Sequence, residues 1–150
     1  MTTVHLLLGS NLGNREHNLQ LASREIGRLL GKIITTSSVY KTAAWGKIDQ
    51  PDFYNQVIVT STGKSPEEAL QFIRDIEDRL GRKRTEKWGS RIIDIDILFW
   101  DNQVISKPDL RIPHPGIPQR RFTLIPLQEI SPDFIHPILH KSVHELLQEC

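Results

Sequence analysis

Cysteine occurs once, as Cys150 at the last position, so the chain has no internal disulfide and no cysteine-based zinc site. That scarcity suits a reducing compartment. Long apolar runs are missing too: none exceeds the four residues 97–100 (ILFW), and the opening MTTVHLLLGSN has neither a basic leader nor a long hydrophobic stretch. A soluble, cytoplasmic protein with no membrane partner is expected. Charge of one sign is not in excess either, with 19 Lys+Arg against 18 Asp+Glu and a net charge of +1, which argues against a surface devoted to nucleic acid or anionic lipid. What remains is an ordinary globular mixture, 38% hydrophobic and 25% charged over 150 residues, sized for one domain spanning 1–150 around a solitary core. Repeats and low-complexity segments are not visible.

The apolar pattern sets an order of elements. Residues 4–8 read as a strand that meets Gly9-Ser10-Asn11, where Gly9 and Gly13 suggest a strand-to-helix turn. Leu19, Ala22, Ile26 and Leu29 then recur at helical spacing, with Gly31 as the stop. Residues 32–40 and 53–62 are β-branched and read as two strands joined by a long, Gly- and Pro-containing connection. Ser65-Pro66-Glu67-Glu68 supplies an N-cap, an N1 proline and an N3 glutamate ahead of Ala69, Ile73, Ile76 and Leu80. After a polar loop, IIDIDILFW alternates as a strand, with Asp101-Asn102 as a hairpin turn into residues 103–105. Seven of the nine prolines lie from Pro108 to Pro137, which predicts mostly loop there, with short helical turns at 122–129 and a closing helix at 142–148. The order β-α-β-β-α-β predicts an α+β, ferredoxin-like core with an antiparallel-rich sheet and a Pro-rich C-terminal extension.

Two features carry chemistry. Asp94 and Asp96 are two apart in a strand, so their carboxylates share a face while Ile93, Ile95 and Ile97 take the other. Paired carboxylates suit a hard cation such as Mg²⁺, although an exposed polar strand face would look the same. The adjacent loop 82–91, RKRTEKWGSR, holds five basic residues and one acid, a local +4 suited to a polyphosphate, or else to solvent or RNA. Gly63-Lys64-Ser65 is no P-loop, because Ile58 stands where its first glycine is required. His136, His140 and His144 are four apart, but Pro137 breaks any shared helix.

Taken together, GSNLGNR, YKTAAWG, QPDFYN, EDRLGR, EKWGSR, DIDIL, IPHP and RRFTLIPLQEISP resemble, over nearly the whole chain, the 6-hydroxymethyl-7,8-dihydropterin pyrophosphokinases. The resemblance implies transfer of the β,γ-diphosphate of ATP to the pterin hydroxymethyl group with release of AMP, in folate biosynthesis, with two Mg²⁺ ions. It implies Asp94 and Asp96 as metal ligands, and a pterin pocket of Thr42, Ala43, Trp45, Phe53, Asn55 and Phe122. Glu77, Arg82, Lys87, Arg91, Ile97, His114 and Arg120 would line the nucleotide, and Arg82, Arg84, Trp88 and Arg91 would belong to a mobile catalytic loop. The expected partners are ATP and a reduced pterin, with no nucleic acid, and the expected state is a monomer. The chain departs from the family pattern at Lys87, where some members carry Arg, in a loop one residue shorter than in some relatives, and in Thr42-Ala43-Ala44. Asp109 and Arg111 also differ and receive no assignment. A different nucleotidyl transferase would keep the aspartates without the aromatic pocket, and an RNA-binding module would need stacking residues where the acids stand.

Overall fold

The computed structural model describes residues 1–42, 52–81 and 92–150. Strand β1 (Thr2–Ser10) is followed by α1 (Arg15–Leu29), β2 (Ile33–Thr36), β3 (Tyr40–Thr42), β4 (Phe53–Thr62), α2 (Pro66–Arg79) and β5 (Asp94–Trp100). A hairpin of β6 (Ile105–Lys107) and β7 (Leu110–Ile112), a 3₁₀ turn (Ile117–Gln119), α3 (Arg121–Ile130) and α4 (Val143–Glu149) complete the chain. The main sheet is antiparallel in the order β2-β4-β1-β5, with β3 also pairing β4. This is an α+β fold with antiparallel sheets.

Local chemistry explains the boundaries. Asn14 caps α1 by accepting the His17 N–H, and Ser65 with Glu68 forms the reciprocal capping box of α2. Gly31 is required by close approach: a Cβ there would lie 1.9 Å from the Ser61 carbonyl oxygen. Residues 32–40 do not form one strand but stop at Thr36 and resume at Tyr40. Between the two, the Ser37 N–H still donates to the Val57 carbonyl, but its hydroxyl accepts the Val57 N–H and the Ser38 N–H turns to Glu129, so side chains take over part of the ladder. The turn at Asp101 forms, but β6 pairs with β7 instead of β5. Residues 121–130 form a ten-residue helix despite Pro126, held by the buried face Thr123, Leu124, Pro126 and Leu127.

The single core expected from size is two clusters, one on each face of the sheet. Val4, Leu6 and Leu8 of β1 point with Ile93, Ile95 and Ile97 toward α1 and α2. Leu7, Val57, Leu98 and Phe99 point the other way, toward α3 and α4. Leu98 and Phe99 share that face because the β1–β5 register shifts between His5 and Leu6.

His5 lies in the second cluster at 3% exposure, between Phe99 and Phe134, with Nε2 bonded to the Ser131 hydroxyl and Nδ1 without a partner. Burial pushes its imidazole down to about 4, against a smaller opposing pull from Asp101. The unfolded chain, with His5 near 6.5, binds the extra proton between those values, so stability falls as pH drops from 6.5 toward 4. The contribution is about 3 kcal/mol at full extent. Urea midpoints measured from pH 7 to 4.5 should therefore fall more steeply in the wild type than in His5→Leu, and parallel curves would contradict this account.

Candidate active site

On the second face, α3 and α4 pack over Leu7, Val57, Leu98 and Phe99. The odd positions of β1 and β4 and the even positions of the start of β5 share that face, so Phe53, Asn55, Gly9, Asp94 and Asp96 all project beside Leu7, Val57 and Leu98. Their register forms two rows. Asn55 and Asp94 both pair with Gly9, and Val57 and Asp96 both pair with Leu7. Asn55 and Asp94 thus stand two strands, about 10 Å, apart. Between them is a glycine without a side chain.

Gly9 lies inside β1, not in the turn expected of it. A Cβ there would sit 3.0 Å from Asn55 Oδ1 and 3.5 Å from the Phe53 ring, so the missing methyl keeps the floor between these groups open. Asn55 is 3% exposed, and its Nδ2 donates to Thr42 Oγ1 at 2.8 Å. Thr42 ends β3 directly opposite Phe53, the first residue of β4. Phe122, the second residue of α3, packs half-buried against the rim of the second cluster, with the Arg120 guanidinium 5.6 Å from its ring centre.

Asp94 and Asp96 are half-buried. Among the described residues no group of three His, Cys, Asp or Glu gathers to cage a metal. Two carboxylates alone suit a cation that keeps water and phosphate oxygens in its remaining positions, which is the habit of Mg²⁺ and not of structural Zn²⁺. The donor set therefore fits Mg²⁺. Glu77 reaches from α2 to the same strand, where its buried carboxylate accepts the Ile95 N–H at 3.0 Å.

Beside Asp96 opens a pocket of about 260 Å³. Leu70, Ile95, Ile97 and Leu110 give it apolar walls, and Asp96, His114, Asp109 and Arg111 give it polar ones. The His114 backbone N–H donates to the Leu98 carbonyl, fastening this residue to β5. Burial holds its imidazole below the usual value, Asp96 opposes that and Arg120 adds to it. Nδ1 accepts the Gly116 N–H at 3.0 Å, so the neutral ring carries its proton on Nε2 and can act as a donor. Arg120 packs along Gly116, where a Cβ would meet its Nε at 2.7 Å.

The structure thus gathers Thr42, Phe53 and Asn55 at one end of the second face, and Asp96, Ile97 and His114 beside a pocket at the β5 edge of the sheet, where Ile97 comes from the first-cluster side. Ala43, Trp45, Arg82, Arg84, Lys87, Trp88 and Arg91 lie outside the described residues. Strand register brings Gly9 to the site, and the docking of the hairpin puts Asp109 and Arg111, unassigned above, on the pocket wall together with Leu110. The three histidines do not converge: His136 Nδ1 accepts N–H groups of its own turn, and His144 bonds Gln128.

Residues 5–132 match the family model for 7,8-dihydro-6-hydroxymethylpterin-pyrophosphokinase. The chain is 42% identical over 149 residues to a 2-amino-4-hydroxy-6-hydroxymethyldihydropteridine pyrophosphokinase of Aquifex aeolicus, covering 99% of this chain and 92% of that one. A protein of the same name from Haemophilus influenzae is 39% identical over 138 residues, covering 91% and 86%. Among solved structures, a Plasmodium falciparum HPPK-DHPS superimposes with a TM-score of 0.81 at 21% identity, over 99% of this chain and 43% of that one. At that identity the likeness concerns the fold, and the chain spans less than half of that larger protein.

Proposed function

The chain belongs to the 7,8-dihydro-6-hydroxymethylpterin-pyrophosphokinase family, and from that premise we propose how its residues divide the transfer of diphosphate from ATP to the pterin hydroxymethyl group. One observation carries the reading: in the Asn55–Gly9–Asp94 row a hydrogen-bonding end beside Phe53 and a paired-carboxylate end share one sheet face. The pterin lies at the first end. Phe53 and Phe122 offer flat apolar faces, and Asn55, steadied by Thr42, offers a donor and an acceptor to the heterocycle edge. ATP lies at the second end, its base and ribose in the pocket beside Ile97 and its phosphates toward Asp96, His114 and Arg120. The strand order, with α1 and α2 packed on one face, supports the finer reading of a ferredoxin-like core with a Pro-rich extension.

Asp94 and Asp96 would hold Mg²⁺, two ions in the full reading. Bound there, the metal supplies charge neutralisation for the triphosphate. The hydroxymethyl oxygen forms the new bond to the β-phosphorus, and its hydroxyl proton leaves. The bond from that phosphorus to the bridging oxygen breaks, and the electron pair departs with AMP. His114, neutral and protonated on Nε2, donates a hydrogen bond to phosphate rather than accepting the hydroxyl proton. The chain's contribution is positioning and charge stabilisation. Incubation with ATP, Mg²⁺ and the reduced pterin should yield AMP and a pterin diphosphate, whereas ADP would refute the reaction class.

The pocket division has its own check. Asn55→Ala and Phe122→Ala should each weaken pterin binding by about 1–3 kcal/mol, through an unpaired heterocycle edge or a lost stacking face. A nucleotide analogue should bind both variants as it binds wild type. Calorimetry with each ligand separately reads this directly, and unchanged pterin affinity in both variants would refute the pocket.

A further inference from the structure

The Glu129 carboxylate, at the far end of α3 from Phe122, collects four hydrogen-bond contacts from the short segment that precedes Thr42. The Ser38 N–H reaches Oε1 at 3.0 Å and Oε2 at 3.2 Å, the Ser38 hydroxyl donates to Oε2 at 3.0 Å, and the Tyr40 hydroxyl donates to Oε1 at 2.6 Å. These bonds join two elements that both end in the pterin pocket assigned above. Phe122 lies seven residues, about 10 Å, up the same helix. Thr42 lies two residues beyond Tyr40 in β3.

Strand β3 needs such a tie. Among the described residues its three positions pair with β4 alone, at Tyr40↔Asn55, Lys41↔Tyr54 and Thr42↔Phe53. A three-residue strand held along one side is a weak element, free to fray. Yet Thr42 Oγ1 is the acceptor that orients the Asn55 amide. Any fraying of β3 therefore releases Asn55 as well as Thr42. The charge states favour the link, since the Tyr40 hydroxyl holds the Glu129 carboxyl below the usual carboxylate range, and Glu129 holds the Tyr40 phenol above its own.

We propose that Glu129 is a positioning residue for pterin binding: its bonds to Ser38 and Tyr40 lock β3 to α3 and so set the Thr42–Asn55 edge against Phe122. It touches neither substrate. Its effect is on the fraction of molecules whose pocket is already assembled, which multiplies the apparent pterin dissociation constant. This inference rests on the pterin pocket of the preceding section.

Glu129→Gln keeps the side chain's size while removing the charge that makes these bonds short. If the assembled pocket falls to about a tenth of the population, pterin Kd and KM rise about tenfold. Because bound pterin restores the arrangement, kcat should stay within about twofold, and the affinity for an unreactive ATP analogue should not change. Tyr40→Phe deletes a single oxygen and should weaken pterin in the same sense, which keeps the test standing if Glu129→Gln folds poorly. The double variant should be no worse than Glu129→Gln, since both act through one link. A merely structural Glu129 would lower thermal stability and leave pterin affinity alone. Unchanged pterin affinity in Glu129→Gln and Tyr40→Phe, beside a weakened Asn55→Ala, overturns the strut alone. Unchanged affinity in Asn55→Ala overturns the pocket and the strut with it.

Discussion

Asp94→Ala and Asp96→Ala should each lower AMP formation by about a thousandfold or more while shifting the melting temperature by no more than a few degrees. Two carboxylates on the same strand face repel, and removing one relieves that repulsion in the free protein. The sheet itself rests on Ile93, Ile95 and Ile97, which point to the opposite face and are untouched by either change. With nucleotide bound the balance reverses, because a triphosphate brings negative charge that only a cation can offset beside an acid. Steady-state rates across a range of Mg²⁺, with thermal melts of the same preparations, test both halves. Either variant retaining activity within about tenfold of wild type would end the metal assignment.

Gly9→Val should be nearly as damaging and for a different reason. Valine favours strands, so β1 should persist. Its Cβ, however, starts 3.0 Å from Asn55 Oδ1 and within van der Waals contact of Phe53, and two further methyl groups must be accommodated over the row. Pterin affinity should fall about a hundredfold, or roughly 3 kcal/mol. Gly9→Ala should fall between valine and wild type, since the Asn55 amide has only a few tenths of an ångström to yield. The ATP analogue, on the far side of Asp96, should bind the valine variant nearly normally. Calorimetry with the two ligands distinguishes this local block from general damage, and normal pterin binding to Gly9→Val would show that the heterocycle does not lie over this row.

The elements that sequence patterns describe well here are those governed by neighbours along the chain. The capping box of α2 needs only Ser65 and Glu68, three residues apart, and it forms as expected. The shared face of Asp94 and Asp96 needs only the alternation of a strand. By contrast, the split between β2 and β3 involves Glu129, 91 residues downstream of Ser38, which no local window contains. The helix through Pro126 depends on burial of its apolar face against the sheet, which outweighs the missing N–H. Gly9 illustrates the same limit within the site. A glycine beside Ser-Asn looks like a turn until pairing with both Asn55 and Asp94 makes it the middle of a sheet.

The β6–β7 hairpin has a consequence for how the protein can diversify. It forms its own two-stranded sheet, anchored by the buried Leu110 and Ile112, while Asp109 and Arg111 lie exposed on the pocket side. Leu110 both anchors the hairpin and lines the pocket, whereas Asp109 and Arg111 line it without anchoring. Substitutions at Asp109 and Arg111 can alter the polar wall of the pocket without disturbing the apolar contacts that hold the hairpin down, so this lining can change at little cost to folding.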